Sequence, residues 1–417
     1  MDVTRRELML GVASAALAAR PAFARSVQSA EAATRADAPT RADAPTLPAS
    51  PAEFPWAATE TFINAAAYHP ISAASAKAME DYVAYRLKGP GPGRGDLGGQ
   101  RQTDVKTMFG QLVNATPDEI AFVQSTSDGE NIVIAGMDLL RSGGNVVIDD
   151  LHYNSSIYIY RMLEEQGLEV RVVHQKDWTI DINDVERAVD DQTRLVSMAL
   201  VSNVNGYLHD VKAVSDVAHA HGAYVYADII QAAGAVPIDV RAMGLDMCAC
   251  SSYKWLMGDR GFGFLYVRSD LQGSVVGFTR FGHRQYSSFN RAELSWTRRD
   301  GAYRYETGNI ANVVVAGVHE SLKYIHAVGV PAIQAHARTL TERLQRELPA
   351  MGYPSITPKT NPTPIVTFQV ADPAATRDRL ERANVAVTVV ANTNQMRVSP
   401  SVYNTMADID RLIAALS

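Results

Sequence analysis

A lysine set among small polar and aromatic residues, Ser251-Ser252-Tyr253-Lys254-Trp255, follows a short apolar run at residues 247–250. Upstream, Asp228 closes a second apolar run, residues 223–227. An amine beyond the end of one strand and a carboxylate at the end of another suit two linked tasks. The amine condenses with an aldehyde. The carboxylate keeps a pyridine nitrogen protonated, so that the ring accepts electrons. Pyridoxal 5′-phosphate (PLP) chemistry needs such a pair. Neither residue carries the reading alone, since a lone lysine is ordinarily a surface charge.

The elements that must position this pair follow from the pattern around it. Residues 118–123 read as a turn into a strand, and 131–140 as a helix. A short buried strand at 145–148, a helix at 156–165 and a strand at 168–173 come next. The apolar runs at 195–201, 223–227 and 247–250 are too short for helices, while 211–221 is helical. Strands alternating with helices predict an α/β fold with a mainly parallel sheet covered on both faces. Sites in such sheets lie beyond the carboxyl ends of strands. Ser127, Tyr153, Asp228 and Lys254 each fall at or just after a predicted strand, which points to one shared site. After residue 308 the pattern changes to helices at 313–328 and 332–348, strands near 364–370, 385–390 and 395–398, and a closing helix at 406–416. This predicts a smaller C-terminal α+β domain.

The chain has 417 residues, 47% hydrophobic and 20% charged, and its formal net charge is −6. That length suits two domains with a large core. The acidic balance speaks against nucleic-acid or anionic-membrane binding, and no run within the mature chain reaches the length of a membrane span. Thr4-Arg5-Arg6-Glu7-Leu8 carries a twin arginine before a mild apolar run, and Ala22-Phe23-Ala24 offers small residues for cleavage. This reads as a twin-arginine export signal over residues 1–24 and places the protein in the periplasm. That export machinery carries folded proteins, which suits an enzyme loaded with cofactor before export. Residues 25–50 read as a disordered linker, with Thr34-Arg35-Ala36-Asp37-Ala38-Pro39 repeated at 40–45. Residues 51–308 then form an N-terminal arm and the large domain, and 309–417 a linking helix and the small domain. The two cysteines, Cys248 and Cys250, point to one face of a strand and read as buried thiols. The ten histidines show no zinc-type spacing, and no metal is expected.

Three segments in order, Ala227-Asp228-Ile229-Ile230-Gln231-Ala232-Ala233-Gly234, Ser251-Ser252-Tyr253-Lys254-Trp255-Leu256-Met257-Gly258 and Met396-Arg397-Val398-Ser399-Pro400, resemble the class V aminotransferase branch of fold-type I PLP enzymes. Cysteine desulfurases, isopenicillin N epimerase-like proteins and kynureninase belong to that branch. The resemblance runs from about residue 54 to the C-terminus. It implies a covalent link at Lys254, an Asp228–pyridinium contact, and Gln231 and Asn203 near the phenolic oxygen. The turn Gln124-Ser125-Thr126-Ser127-Asp128-Gly129 precedes the predicted helix, and its N–H groups and hydroxyls suit a phosphate dianion. Thr126 and Ser127 occupy the family's phosphate positions, joined by Ser251 and by Tyr253, which replaces a family histidine. In Asp150-Leu151-His152-Tyr153-Asn154 the alignment favours Tyr153 as the stacking ring, with His152 the competing choice. Arg397 matches the residue that holds a substrate α-carboxylate in two-pronged geometry. In Arg304-Tyr305-Glu306-Thr307-Gly308-Asn309, Asn309 replaces a threonine that reaches the phosphate of a neighbouring subunit, which implies a homodimer with shared sites.

With these parts the expectation is an aminotransferase acting on an amino-acid-like small molecule, Lys254 being the base for its α-proton. An epimerase or a C–S or C–N lyase is the alternative within the fold, and an inactive binding protein the alternative outside it. A desulfurase using its own nucleophilic cysteine is disfavoured, because no cysteine follows Cys250. Basic and aromatic residues interleave over 278–304, as expected of either a specificity element or a subunit contact.

Overall fold

The computed structural model describes Leu47, residues 52–89, Gly91 and residues 98–417. The expected export signal and, Leu47 apart, the expected linker lie outside the described residues. Residues 45–417 form one compact unit.

Strand β1 (Thr61–Phe62) and helices α1 (Ala73–Lys88) and α2 (Gly99–Val113) lead in. The alternation then runs β2 (Ile120–Val123), α3 (Thr126–Gly136), α4 (Leu139–Ser142), β3 (Asn145–Asp149), α5 (Asn154–Glu164) and β4 (Glu169–Val173). It continues through α6 (Ile182–Ala188), β5 (Thr193–Ala199), α7 (Val211–Ala220), β6 (Tyr224–Asp228), β7 (Met247–Ser251) and β8 (Gly263–Val267). These build a seven-stranded sheet in the order β2-β8-β7-β6-β5-β3-β4. The pairs from β4 through β7 are parallel, and β8 runs antiparallel to both of its neighbours. The mainly parallel α/β sheet is therefore present, with one reversed strand. Asp228 ends β6 with Ala199 of β5 on one side and Ala249 of β7 on the other, so three strand ends open onto one edge.

Strands β3, β7 and β8 are buried on both faces, which is why such strands read as continuous apolar runs. Cys248 and Cys250 face a cluster containing Phe109, Phe264 and Leu322, while Met247 and Ala249 face one containing Ile148, Tyr160 and Leu265. That is the two-residue alternation of a strand. Phe109 of α2 stacks on Phe264 of β8 at 3.9 Å.

Helix α3 begins at Thr126, five residues before the sequence pattern places it, and ends at Gly136. The missed signal is the cap: Ser125 Oγ accepts the Asp128 N–H at 3.1 Å. The helix lies close on the sheet because Gly129 has no side chain; a Cβ there would sit 2.7 Å from Ala249 Cβ of β7. Gly129→Ala is expected to cost about 1–3 kcal/mol of stability, read as a lower denaturation midpoint at unchanged m-value.

A hairpin follows, β9 (Tyr286–Asn290) with β10 (Ser295–Arg298). Beyond it come α8 (Asn312–Val328), α9 (Val330–Glu347), β11 (Val366–Gln369), α10 (Pro373–Arg382), β12 (Val385–Ala386), β13 (Thr388–Val390), β14 (Gln395–Val398) and α11 (Met406–Leu416). The antiparallel sheet β11-β14-β13 packs through Phe368 and Met396 on Leu340 and Leu344 of α9 and Ile409 and Leu412 of α11. β1 pairs in parallel with β12 in a separate two-stranded sheet, so the N-terminal arm joins the C-terminal part of the chain.

Candidate active site

The arm joins more than a strand. Ala66 N–H donates to Ser399 Oγ at 3.0 Å, Ala66 carbonyl accepts from Gln231 Nε2 at 3.0 Å, and His69 N–H donates to Tyr253 carbonyl at 3.0 Å. Residues 64–69 thus bind the end of β14 to the turns that follow β6 and β7, and hold these three segments together.

Lys254 is 6% exposed, and among the described residues its amine makes no hydrogen bond. Burial pushes its pKa down to about 8, against the pull of Asp228. Its Nζ lies 5.7 Å from the ring centroids of both Tyr153 and Tyr253. Asp228 is 2% exposed; burial raises its pKa to about 6, opposed by the Ile230 N–H at 2.9 Å and by Lys254. Each of this buried pair therefore holds its charge more weakly than in water.

The first turn of α3 meets the end of β7. Thr126 N–H donates to Ser251 Oγ and Ser251 N–H donates to Thr126 Oγ1, both at 3.0 Å. Ser127 follows in the same turn, whose N–H groups lack intrahelical acceptors. Asp128, the acidic residue of that turn, is paired with Arg280 at 3.1 Å, which reduces its repulsion of an anion. The hydroxyls of Thr126, Ser127 and Ser251 and the positive end of the helix dipole thus meet at one point, a fit for a phosphate.

Tyr153 precedes α5, half-exposed, with its ring facing the amine. His152 is fully buried; its Nδ1 accepts the Tyr153 N–H at 2.8 Å and its Nε2 lies 3.1 Å from Ser197 Oγ. This geometry favours Tyr153 for the ring face. Tyr253 stacks on Tyr68 at 6.1 Å, and the Arg260 guanidinium lies 5.6 Å from the Tyr253 ring. Tyr68 has no motif to mark it. Gln231 is held at both ends, its Oε1 accepting from Trp255 Nε1 at 2.8 Å. That leaves one amide hydrogen for a ligand.

Arg397 lies on β14, the central strand of its sheet. It donates from Nη1 to the Asn203 carbonyl at 2.8 Å and from Nη2 to Thr388 Oγ1 at 3.4 Å. Its Nε is enclosed without a partner, as is Asn203 Oδ1. Burial lowers its pKa to about 10, and among the described residues no carboxylate pairs with it. An enclosed guanidinium with an orphaned N–H is poised for an incoming carboxylate. Arg397→Lys is expected to raise KM about 100-fold, because a charge-assisted two-pronged contact becomes a single one. Initial rates against amino acids and their decarboxylated amines check this: the amines should lose nothing.

Asn309 is exposed, in a surface cleft with Gln124, Asp128 and Arg280. The basic–aromatic segment forms the β9–β10 hairpin, with Phe289 stacked on Trp296 at 6.4 Å. Glu306, buried, anchors its base by pairing with Lys106 and Arg284, each at 2.6 Å. Both cysteines are free and buried, and burial raises both thiols well above their ordinary range. Among the described residues no cluster of three or more His, Cys, Asp or Glu is placed to hold a metal, and no helix is long and apolar enough to cross a membrane.

The family model described as aminotransferase class-V matches residues 93–412. A probable cysteine desulfurase of Methanothermobacter thermautotrophicus is 30% identical over 296 residues, 70% of this chain and 73% of that protein. The apo structure of a cysteine desulfurase from Thermococcus onnurineus superposes with a TM-score of 0.78 at 21% identity, covering 86% of this chain and 94% of its own. The cystine C–S lyase C-DES, solved with its product cysteine persulfide, gives 0.79 at 20% identity, covering 87% and 98%. At these identities the two structures speak for the fold.

Proposed function

This chain belongs to the aminotransferase class-V family, and from that premise we propose a carbon–sulfur lyase acting on a cysteine-type amino acid. The cofactor is pyridoxal 5′-phosphate. The residues present fit it: a buried unbonded amine, a buried carboxylate at a strand end, a hydroxyl-lined helix start and a ring facing the amine. When bound, the cofactor supplies the electron sink for the pair left on the substrate α-carbon.

The rest falls to the chain. Arg397 holds the α-carboxylate and so fixes which bonds of the α-carbon face Lys254. The Lys254 amine, largely shielded from water, takes the α-proton. The Cβ–S bond then breaks, the sulfur leaves with the bonding pair and is protonated, and water completes the conversion of the carbon skeleton to a 2-oxo acid and ammonia. Asp228 holds the ring-nitrogen proton throughout.

One observation supports one sulfur chemistry over the other. Relatives named for desulfuration point to a C–S bond, yet both cysteines of this chain are buried in β7 with raised thiols. No side-chain thiol is placed to accept sulfur, so the sulfur leaves with the product. Transamination, the main expectation from sequence, shares the proton-removal step but has less support from these relatives. Purified holoenzyme given cystine without an added thiol should release 2-oxo acid, ammonia and a persulfide in equal amounts. Conversion of the cofactor to its amine form, with no sulfur released, would instead establish transamination. Export to the periplasm as a folded homodimer, with Asn309 serving the neighbouring phosphate, completes the proposal; Arg5→Lys/Arg6→Lys should retain the protein in the cytosol.

A further inference from the structure

Behind Tyr153 lies a buried run of polar side chains that none of these steps uses. Glu130, on the helix whose first turn meets Ser251, is 1% exposed. Ser156 Oγ donates to its Oε2 at 2.7 Å, and Ser197 Oγ donates to its Oε1 at 3.3 Å. His152 Nε2 lies 3.1 Å from the same Ser197 oxygen, and His152 Nδ1 accepts the Tyr153 N–H at 2.8 Å. Four elements contribute: α3, β5, α5 and the turn after β3.

The direction of the protons follows from the backbone. An amide N–H only donates, so Nδ1 of His152 is bare and Nε2 carries the hydrogen. Nε2 therefore donates to Ser197, whose own proton goes to Glu130. All the donors run toward one carboxylate, an arrangement that an ionised group satisfies because it only accepts. Protonation removes the charge that strengthens the bonds from Ser156 and Ser197, and a proton on Oε1 would also leave the buried Ser197 hydroxyl without its acceptor, so the chain loosens.

We propose that Glu130 is a positioning residue of the cofactor site: it anchors the Ser197–His152 chain that fixes the backbone of Tyr153, and with it the plane of the cofactor ring, and protonating Glu130 releases that plane. The charged and titratable groups around it are His152 in the turn after β3, Tyr160 of α5, and Tyr226 and Asp228 of β6. Among the described residues no lysine or arginine pairs with Glu130. Burial raises its pKa to about 7, with Asp228 adding to the rise and Ser156 opposing it. His152, lowered to about 4 by burial, stays neutral across that range. The chain is therefore intact above neutrality and loosens as pH falls through about 7.

The proposal rests on Tyr153 covering the ring, and the test separates the two. The measured quantity is the circular dichroism of the visible cofactor band in holoenzyme, divided by its absorbance so that titration of the chromophore itself cancels. This ratio reports how the ring is held. In the wild type it should fall on acidification through neutrality. Glu130→Gln cannot titrate and, like the protonated carboxyl, offers Ser197 only a neutral acceptor; its ratio should stay near the low-pH wild-type value at every pH. Ser197→Ala cuts the chain and should give the low ratio at every pH, with far-ultraviolet dichroism unchanged. A Gln variant that titrates like the wild type overturns the proposal, and so does a Ser197→Ala variant with the full ratio. Tyr153→Ala is the control. If it leaves the ratio untouched, the stacking assignment fails; if it lowers the ratio while Glu130→Gln and Ser197→Ala both behave as wild type, only the Glu130 proposal fails.

Discussion

Lys254→Ala is expected to lose turnover by at least about 10⁴-fold, because in the proposed mechanism one side chain serves as both covalent anchor and proton acceptor. The expectation comes from the surroundings of the amine. It is nearly enclosed, lies 5.7 Å from two aromatic centroids and has no hydrogen bond among the described residues to hold its proton. Burial lowers its pKa from the ordinary 10.5 to about 8. At pH 7 roughly one amine in ten is free, against roughly one in three thousand for an unperturbed lysine. The sign for catalysis follows: once substrate displaces the amine from the cofactor, its free form removes the α-proton, so kcat, which reads groups in the enzyme–substrate complex, should rise with pH through the lowered amine pKa and then level. The alanine variant should lack that limb. Its fold should survive, since among the described residues the amine makes no hydrogen bond and alanine removes a buried charge. Single-turnover measurements of α-deuterium loss check the rate, and borohydride reduction with peptide mapping checks the anchor. An alanine variant that still exchanges the α-hydrogen at the wild-type rate would remove Lys254 from the chemistry.

The residues most legible in the sequence are those whose chemistry restricts their type. Lys254, Asp228 and Arg397 each sit at or near a strand end in a motif of several residues, and the folded chain brings Asp228 and Arg397 within electrostatic reach of Lys254. The parallel alternation is legible for a similar reason: β5, β6 and β7 are covered on both faces, so each is a short unbroken apolar run. Less local facts are not legible. The reversal of β8 and the pairing of the two-residue β1 with β12 depend on partners far along the chain, and two residues carry no period. The start of α3 is hidden because Ser125 and Asp128, a capping pattern, sit in a turn that also suits phosphate. Glu130, Ser156, Ser197 and His152 look like ordinary polar positions until four elements converge. The buried cysteines are legible from their place in an apolar run, and their burial bears most directly on the kind of sulfur chemistry open to the chain.

Asp228→Asn gives the second large effect, and it moves activity and stability in opposite directions. Asparagine keeps the shape and the oxygen that accepts the Ile230 N–H, but not the charge. Without that charge the pyridine nitrogen is expected to lose its proton by 1–3 pKa units, so kcat should fall about 10- to 1,000-fold. KM should change little, because Arg397 is untouched. The stability sign is the reverse. In the cofactor-free protein burial raises the Asp228 pKa from 3.8 to about 6, so the folded state binds this proton more tightly than the unfolded chain does. The carboxylate therefore costs nothing below about 3.8, costs increasingly as pH rises toward 6, and destabilises fully above it. The asparagine side chain escapes that cost, so the cofactor-free variant should melt at a higher temperature than the wild type at neutral pH and at the same temperature in acid. Loading the cofactor should narrow or invert the gap, since a pyridinium compensates only the carboxylate. A variant that melts like the wild type at every pH and keeps its kcat would show that Asp228 is neither strained by burial nor paired with the ring; a variant more stable when empty, and slow when loaded, would show both at once.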